Sequence, residues 1–289
     1  MKTECIHTST SEISAALDQG GGNKLWGIIN ILNRLEWIMK VKNNGPFKFP
    51  DQIAMIGSFP LAIFNMINHL NIFYTSVDID FLADVVVRPA TNITEFSEEQ
   101  ICSTLGLKPW ADWEFITSHI TSIGILTWQY LKESTKMSMT YCNQNGLPEV
   151  HDWVNHLPAS FVPFLVFSNK GVYFAFPAGG VEDNKNNYGR IPNPVAYFNQ
   201  NLSDRQKISR VLIALKYFSF LPDQNNIDLF SKACIDSIFK QTLVNPENIE
   251  YFNNYIQKIT SSLDKNQITK FYSLLPNHMP MYANRMTIA

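Results

Sequence analysis

The sequence predicts an α+β fold: a small mixed β-sheet in a first domain, residues 1–195, followed by a helical C-terminal part, residues 196–289. Three observations point there. Two apolar runs, 161–167 and 172–176, flank Asn169-Lys170-Gly171, which is hairpin chemistry. Residues 53–82 read as strand, Gly57-Ser58 turn, helix, strand. After Asn199 the apolar residues switch to helical spacing, and the pattern holds to the last helix near 275.

Taken in order, residues 1–22 are polar, and the Gly20-Gly21-Gly22 that ends them reads as a flexible linker. Leu25, Ile28, Ile29, Leu32, Leu35 and Ile38 predict a helix over 23–41, stopped by Asn43-Asn44-Gly45-Pro46. Residues 52–56 form a short apolar strand. Gly57-Ser58 breaks it, and Pro60 suits the first turn of a helix that continues over 61–70. Residues 72–75 and 79–87, rich in β-branched and aromatic residues, read as extended. Residues 91–106 and the mixed stretch 111–133 read as helical. Residues 177–194 read as a loop. In the last third, Leu202, Ile208, Val211, Leu212, Leu215 and Phe218 open a run of helices that continues through 226–243, 246–264 and 266–275.

Composition excludes several classes. Of 289 residues, 45% are apolar, with 20 Phe, 11 Tyr and 6 Trp, so there is ample material for a core. The charge balance of 23 Lys+Arg against 25 Asp+Glu gives −2, which argues against a dominant basic footprint on nucleic acid. No apolar run reaches the roughly 18 residues of a membrane-spanning helix. No basic stretch followed by an apolar one opens the chain, so a cytoplasmic location is expected. Cys5, Cys102, Cys142 and Cys234 are far apart, and reduced thiols are expected. His151, Asp152 and His156, with Cys142 upstream, lack the local signature of a Cys–His hydrolase.

The chemistry concentrates in residues 53–82. In an extended strand, positions i and i+2 share a side, so Asp78 and Asp80 put two carboxylates together. Two bare carboxylates that close repel unless a cation lies between them. Hard oxygen donors suit Mg²⁺ or Mn²⁺, and Mg²⁺ commonly pairs such acids with substrate phosphates. Gly57 allows close backbone approach, and the following helix N-terminus with the Ser58 hydroxyl offers donors to phosphate. Metal seat and phosphate seat together suit nucleotidyl transfer from a nucleoside triphosphate.

Gly57-Ser58, a helix, then Ser76-x-Asp78-x-Asp80 resembles the signature of the DNA-polymerase-β-like nucleotidyltransferase superfamily. The nearest flavour is the minimal type, including toxins of abortive-infection systems, in which Ser/Thr-x-Asp-Ile-Asp is frequent. Ile191-Pro192-Asn193-Pro194, followed by a helix with Arg205 and Lys207, is similar to a later loop and basic helix of such proteins. The resemblance makes residues 1–195 a nucleotidyltransferase-type domain. It implies Asp78 and Asp80 as catalytic metal ligands, and Gly57, Ser58, Arg205 and Lys207 as nucleotide contacts. It also implies an acceptor such as tRNA, a protein or a small molecule. Neutral net charge slightly disfavours a large RNA. One departure stands out. The superfamily's third carboxylate is expected on the strand 172–177, where Tyr173 and Ala175 stand instead. Asp84, Glu149, Asp152 and Asp183 are the substitutes the sequence offers. Two other functions compete: a glycosyltransferase using Asp-x-Asp on a nucleotide sugar, and a non-catalytic binding module that keeps the fold.

Overall fold

A computed structural model describes residues 3–19, 52–70, 78–84, 114–120, 126–132, 135–142, 154–168, 170–199 and 201–276. The predicted helices 23–41 and 91–106, the extended stretch 72–75 and the glycines at 20–22 lie outside these residues.

The described strands form one mixed eight-stranded sheet. In chain order they are β1 (Thr3–Thr8), β2 (Gln52–Ile56), β3 (Asp78–Asp84), β4 (Glu114–Ile120), β5 (Leu126–Lys132), β6 (Thr135–Cys142), β7 (Phe164–Ser168) and β8 (Gly171–Pro177). Across the sheet the order is β1-β8-β7-β2-β3-β6-β5-β4. Among the described strands only the β3–β6 pair is parallel.

The predicted hairpin is β7–β8. Gly171 has φ 112°, a conformation that favours glycine. Ser168 Oγ accepts from the Lys170 N–H at 3.2 Å and donates to the Gly171 carbonyl at 3.1 Å. Both strands are continuous apolar runs because both sheet faces are covered. On one face, Val166, Tyr173 and Ala175 join the core of the helical part. On the other, Phe64 packs edge-on against Phe174 and Phe176, with ring centroids 5.1 and 4.8 Å apart. Phe64 belongs to α2 (Ser58–Ile67), which packs beside α1 (Thr10–Gln19).

The helical part carries out its sequence pattern closely. α5 (Asp204–Phe218) buries Ile208, Val211, Leu212, Leu215 and Phe218. It starts with a capping box between Ser203 and Gln206. α6 (Leu229–Thr242) is capped by Asp228, whose carboxylate accepts from the Ser231 N–H at 2.8 Å. α7 (Pro246–Thr260) has Asn245 as cap and Pro246 at its first position. α8 (Lys265–Ser273) opens with an Asp264–Gln267 capping box. One cluster of buried side chains runs from Ala54 and Leu61 through Val166 and Tyr173 to Phe239, Phe252 and Phe271, crossing residue 195.

Three expectations need correction. The stretch 111–133 is not helical where described: it holds β4 and β5. In β5 the large apolar residues Leu126, Trp128 and Tyr130 alternate with Thr127 and Gln129, the period of a strand, and β4 is rich in aromatic and β-branched residues (Phe115, Ile116, Thr117, Ile120). Residues 3–19, to which the sequence reading assigns no element, hold β1 and α1, the helix opened by Ser9 and Glu12, where the Glu12 carboxylate accepts from the Ser9 N–H at 2.9 Å. The loop 177–194 contains a short helix, α3 (Gly180–Lys185), and the turn α4 (Pro194–Tyr197) begins at its end. The helix after Gly57 stops at Ile67, and His69, with φ 54°, lies just past it.

Candidate active site

The site begins where β2 ends. Gly57 has φ 93° and ψ −157°, backbone values at which a Cβ is strongly disfavoured. The chain turns there from strand to helix, and α2 starts at Ser58, itself 8% exposed. Gly57 has no side chain to cap the helix, so its first turn presents backbone rather than a side-chain cap.

Register brings the acids to the same end of the sheet. β2 and β3 are antiparallel, and Ile56, the last residue of β2, pairs with Asp80. Asp78 and Asp80 occupy the first and third positions of β3. Gly57-Ser58 therefore leaves the sheet beside the strand start that carries both aspartates. Adjacent strands lie about 4.8 Å apart, so this is immediate neighbourhood. On the other side of β3, the parallel strand β6 pairs Lys136 with Asp78 and Ser138 with Asp80. β5 follows, with Leu131 beside Lys136 and Gln129 beside Ser138.

Sequence reasoning missed Lys136 and Ser138. Their signal was present: Lys136, Ser138 and Thr140 alternate with Met137, Met139 and Tyr141, a strand with a polar side. What was not readable is the pairing partner, 58 residues away.

The expected place for a third acid does not flank the pair. β8, with Tyr173 and Ala175, is separated from β3 by β7 and β2. Neither flanking strand, β2 or β6, contains Asp or Glu. Asp84 is the last residue of β3, six positions from Asp78 and so about 20 Å along the strand. Asp183 is engaged by Arg190 Nε at 2.9 Å, and Arg190 also donates to the Ala178 carbonyl. Glu149, Asp152 and His151 lie outside the described residues.

Arg205 and Lys207 sit in the first turn of α5. The Arg205 guanidinium meets Glu247 at 3.3 Å and stands 5.7 Å from the Tyr251 ring centre, both on α7. Register sets the Gly57-Ser58 turn beside Asp78 and Asp80, whereas the contacts of Arg205 described above are with α7. The Ile191-Pro192-Asn193-Pro194 loop enters α4, where Asn193 accepts from the Ala196 N–H at 3.1 Å. The loop is pinned to α6 by the Ile191 N–H, which donates to Ser231 Oγ at 2.9 Å.

Solved structures share this architecture. A Thermotoga maritima CCA-adding enzyme complexed with tRNA superposes over 95% of this chain with a TM-score of 0.52 and 12% identity. A CCA-adding enzyme complexed with ATP gives 95%, 0.55 and 12%, and one with CTP gives 95%, 0.51 and 11%. The chain shares its fold with CCA-adding enzymes. Those enzymes belong to the polymerase-β-like nucleotidyltransferase superfamily that the Gly57-Ser58 and Asp78-x-Asp80 pattern resembles. The chain spans about half the length of these structures, 54–55%. No protein-family model matches the sequence, and no curated protein matches it. Among the described residues, no helix is long and apolar enough to cross a membrane.

Proposed function

We propose that this chain is a nucleotidyltransferase that moves a nucleoside monophosphate from a nucleoside triphosphate to an acceptor. The observation that carries this is the register of Ile56 with Asp80, which sets the Gly57-Ser58 turn beside the strand start holding Asp78 and Asp80. The fold shared with CCA-adding enzymes supports it.

In this reading the α2 N-terminus and Ser58 bind the outer phosphates, with Arg205 and Lys207 as further nucleotide contacts. Two carboxylates two positions apart are the donor chemistry of Mg²⁺ or Mn²⁺, so Asp78 and Asp80 would hold the cation. That ion supplies charge neutralisation on the triphosphate. The acceptor oxygen forms a bond to the α-phosphorus, the bond to the bridging oxygen breaks, and pyrophosphate leaves. The acceptor proton passes to a base. Positioning of the two reactants provides much of the rate.

The tRNA in one similar complex makes tRNA a leading acceptor, whereas the net charge of −2 favours a small molecule or a protein. Ser76-x-Asp78-Ile79-Asp80 favours the minimal, toxin- or resistance-type subclass acting in the cytoplasm. A second reading, a non-catalytic binding module, draws on the lack of Asp or Glu in β2 and β6. A glycosyltransferase would need parallel βα units before the motif, whereas β2 pairs antiparallel with both its neighbours.

The test incubates the protein with each labelled nucleoside triphosphate, Mg²⁺ or Mn²⁺, and cell extract, beside an Asp78→Ala/Asp80→Ala variant. Label transfer that the variant abolishes is the expected result. Absence of transfer together with absence of metal-dependent nucleotide binding overturns the proposal. Metal-dependent nucleotide binding without transfer selects the binding module.

A further inference from the structure

We propose that the face shared by α5 and α7 binds single-stranded nucleic acid, with Tyr251 and Tyr255 as its stacking surface and Arg205 and Lys258 as its phosphate contacts. The inference goes beyond the transfer reaction: it stands whether or not Asp78 and Asp80 support catalysis.

The face is built from helical spacing. On α7, Tyr251, Tyr255 and Lys258 follow one another at four and three residues, so they share one side of the helix. α7 packs against α5, whose Arg205 and Ser209, four apart, meet that side. The two tyrosine rings are stacked, with centres 5.8 Å apart and planes 23° apart. The Arg205 guanidinium stands 5.7 Å from the Tyr251 ring centre, and the Lys258 ammonium 5.9 Å from that of Tyr255. Both distances fall within the reach of about 6 Å for cation–π attraction. Ser209 Oγ lies 2.6 Å from the Tyr251 hydroxyl and holds that ring by its polar edge. Both rings are half-buried, while Arg205 and Lys258 are exposed.

The order is therefore cation, ring, ring, cation. Every base has a π face, and aromatic rings and guanidinium planes both accept it. Flanking cations meet the phosphates that run beside the bases. The net charge of −2 describes the whole chain, whereas α5 sets Arg205, Lys207, Arg210 and Lys216 against one acid, Asp204. The acids of α7, Glu247 and Glu250, both lie in its first half, away from Lys258. Glu247 holds Arg205 at 3.3 Å in an exposed pair. Such pairs are weak, so a phosphate can take the place of the carboxylate. A protein partner fits this face less well, because interface centres are apolar. The exposed large apolar side chains among the described residues, Ile6, Val195, Leu229, Phe230 and Val244, all lie off α5 and α7.

The experiment follows the fluorescence anisotropy of a labelled single-stranded RNA of about 12 nucleotides, its DNA counterpart and the duplex, a length within the site sizes of single-strand binders. It uses the intact chain and variants checked for folding by circular dichroism. Both single strands are expected to bind more tightly than the duplex. Tyr255→Leu is expected to weaken binding about five- to a hundredfold, the loss of one stacking partner, whereas Tyr255→Phe keeps the ring and the affinity. Lys258→Ala should lower the slope of log affinity against log salt by about 0.7, one phosphate contact on a single strand. Glu247→Gln frees Arg205 and should tighten binding, by up to about fivefold. The Asp78→Ala/Asp80→Ala variant should bind the strand as the wild type does, so a failure of nucleotidyl transfer leaves this inference standing. A wild type that binds no single strand, or binds the duplex as tightly, overturns it. So does displacement of the strand by free ATP at equal base concentration. Folded Tyr255→Leu and Lys258→Ala chains with unchanged affinity and salt slope overturn it as well.

Discussion

Tyr197 and Arg210 hold each other through their main chains: the Tyr197 hydroxyl donates to the Arg210 carbonyl at 2.8 Å, and the Arg210 guanidinium donates to the Tyr197 carbonyl. The guanidinium also stands 5.3 Å from the Tyr197 ring centre. This clamp ties α4, at the end of the Ile191-Pro192-Asn193-Pro194 loop, to the middle of α5. Burial pushes the Tyr197 hydroxyl far above the usual phenol range, with the Arg210 charge pulling the other way. The folded state therefore favours the neutral phenol. Its contribution is complete below the unfolded value of about 10 and is lost as pH rises above it. Tyr197→Phe is expected to cost about 1 kcal/mol at neutral pH. It should also flatten the alkaline fall in stability, which urea unfolding from neutral pH to strongly alkaline pH measures.

Gly57→Ala places a Cβ on a backbone with φ 93°. The strain expected is about 1–3 kcal/mol. If the turn seats phosphate, the variant loses nucleotide affinity by more than its stability loss explains. Thermal unfolding and calorimetric nucleotide titration on the same sample separate the two effects.

Phe64 is 2% exposed and wedged edge-on against Phe174 and Phe176. Phe64→Ala removes the main ring joining α2 to the hairpin, and the expected cost is about 3–5 kcal/mol. Because α2 carries the Gly57-Ser58 turn at its start, nucleotide binding should fall with it. Phe64→Leu, which keeps most of the volume, should recover much of both in denaturant midpoints and binding titrations.

Arg205 and Glu247 form an exposed ion pair, with side chains 55% and 76% accessible. Such pairs contribute about 0–1 kcal/mol, so Arg205→Ala should leave the unfolding midpoint nearly unchanged. The proposed nucleotide contact predicts a raised KM for nucleoside triphosphate in Arg205→Ala and Lys207→Ala. Steady-state kinetics with an unchanged midpoint would place both side chains on the substrate.

Glu4 of β1 accepts the Gly179 N–H at 2.8 Å and the Val181 N–H at 3.2 Å, holding the start of α3. Glu4→Ala leaves these donors without their carboxylate. A loss of about 1–2 kcal/mol is expected, together with faster amide exchange at Val181, readable by hydrogen exchange.

The same contact shows why parts of this fold were legible in sequence and others were not. The β7–β8 hairpin depends on Ser168, Lys170 and Gly171, all local, and its turn chemistry announced it. The helices from Ser203 onward carry their own caps and their own apolar spacing. α3 is different: Gly180-Val181-Glu182-Asp183-Asn184-Lys185 has poor intrinsic helicity, and its N–H partner Glu4 lies 175 residues upstream of Gly179. β1 is a short, polar edge strand whose identity rests on β8. At the candidate site, Gly57-Ser58 and Asp78-x-Asp80 stood out because their spacing is local. Lys136 did not, because only the parallel register of β6 sets it level with Asp78.

The edge position of β1 also sets an order of events on the ribosome. β1 pairs with β8, Thr3 against Pro177, so β1 has no partner among the described strands until β8 has been synthesised. At about 5–20 residues per second, that interval is on the order of ten seconds or more. β2 meets β3 early, Ile56 against Asp80, and only its other edge waits for β7, Gln52 against Ser168. β1 and one edge of β2 therefore stay unpaired until the β7–β8 hairpin emerges, and the joining of β1 to the rest of the sheet is gated by that hairpin. Slowing translation between residues 84 and 164 should lengthen the exposure to chaperones and to aggregation, whereas slowing it after residue 177 should not.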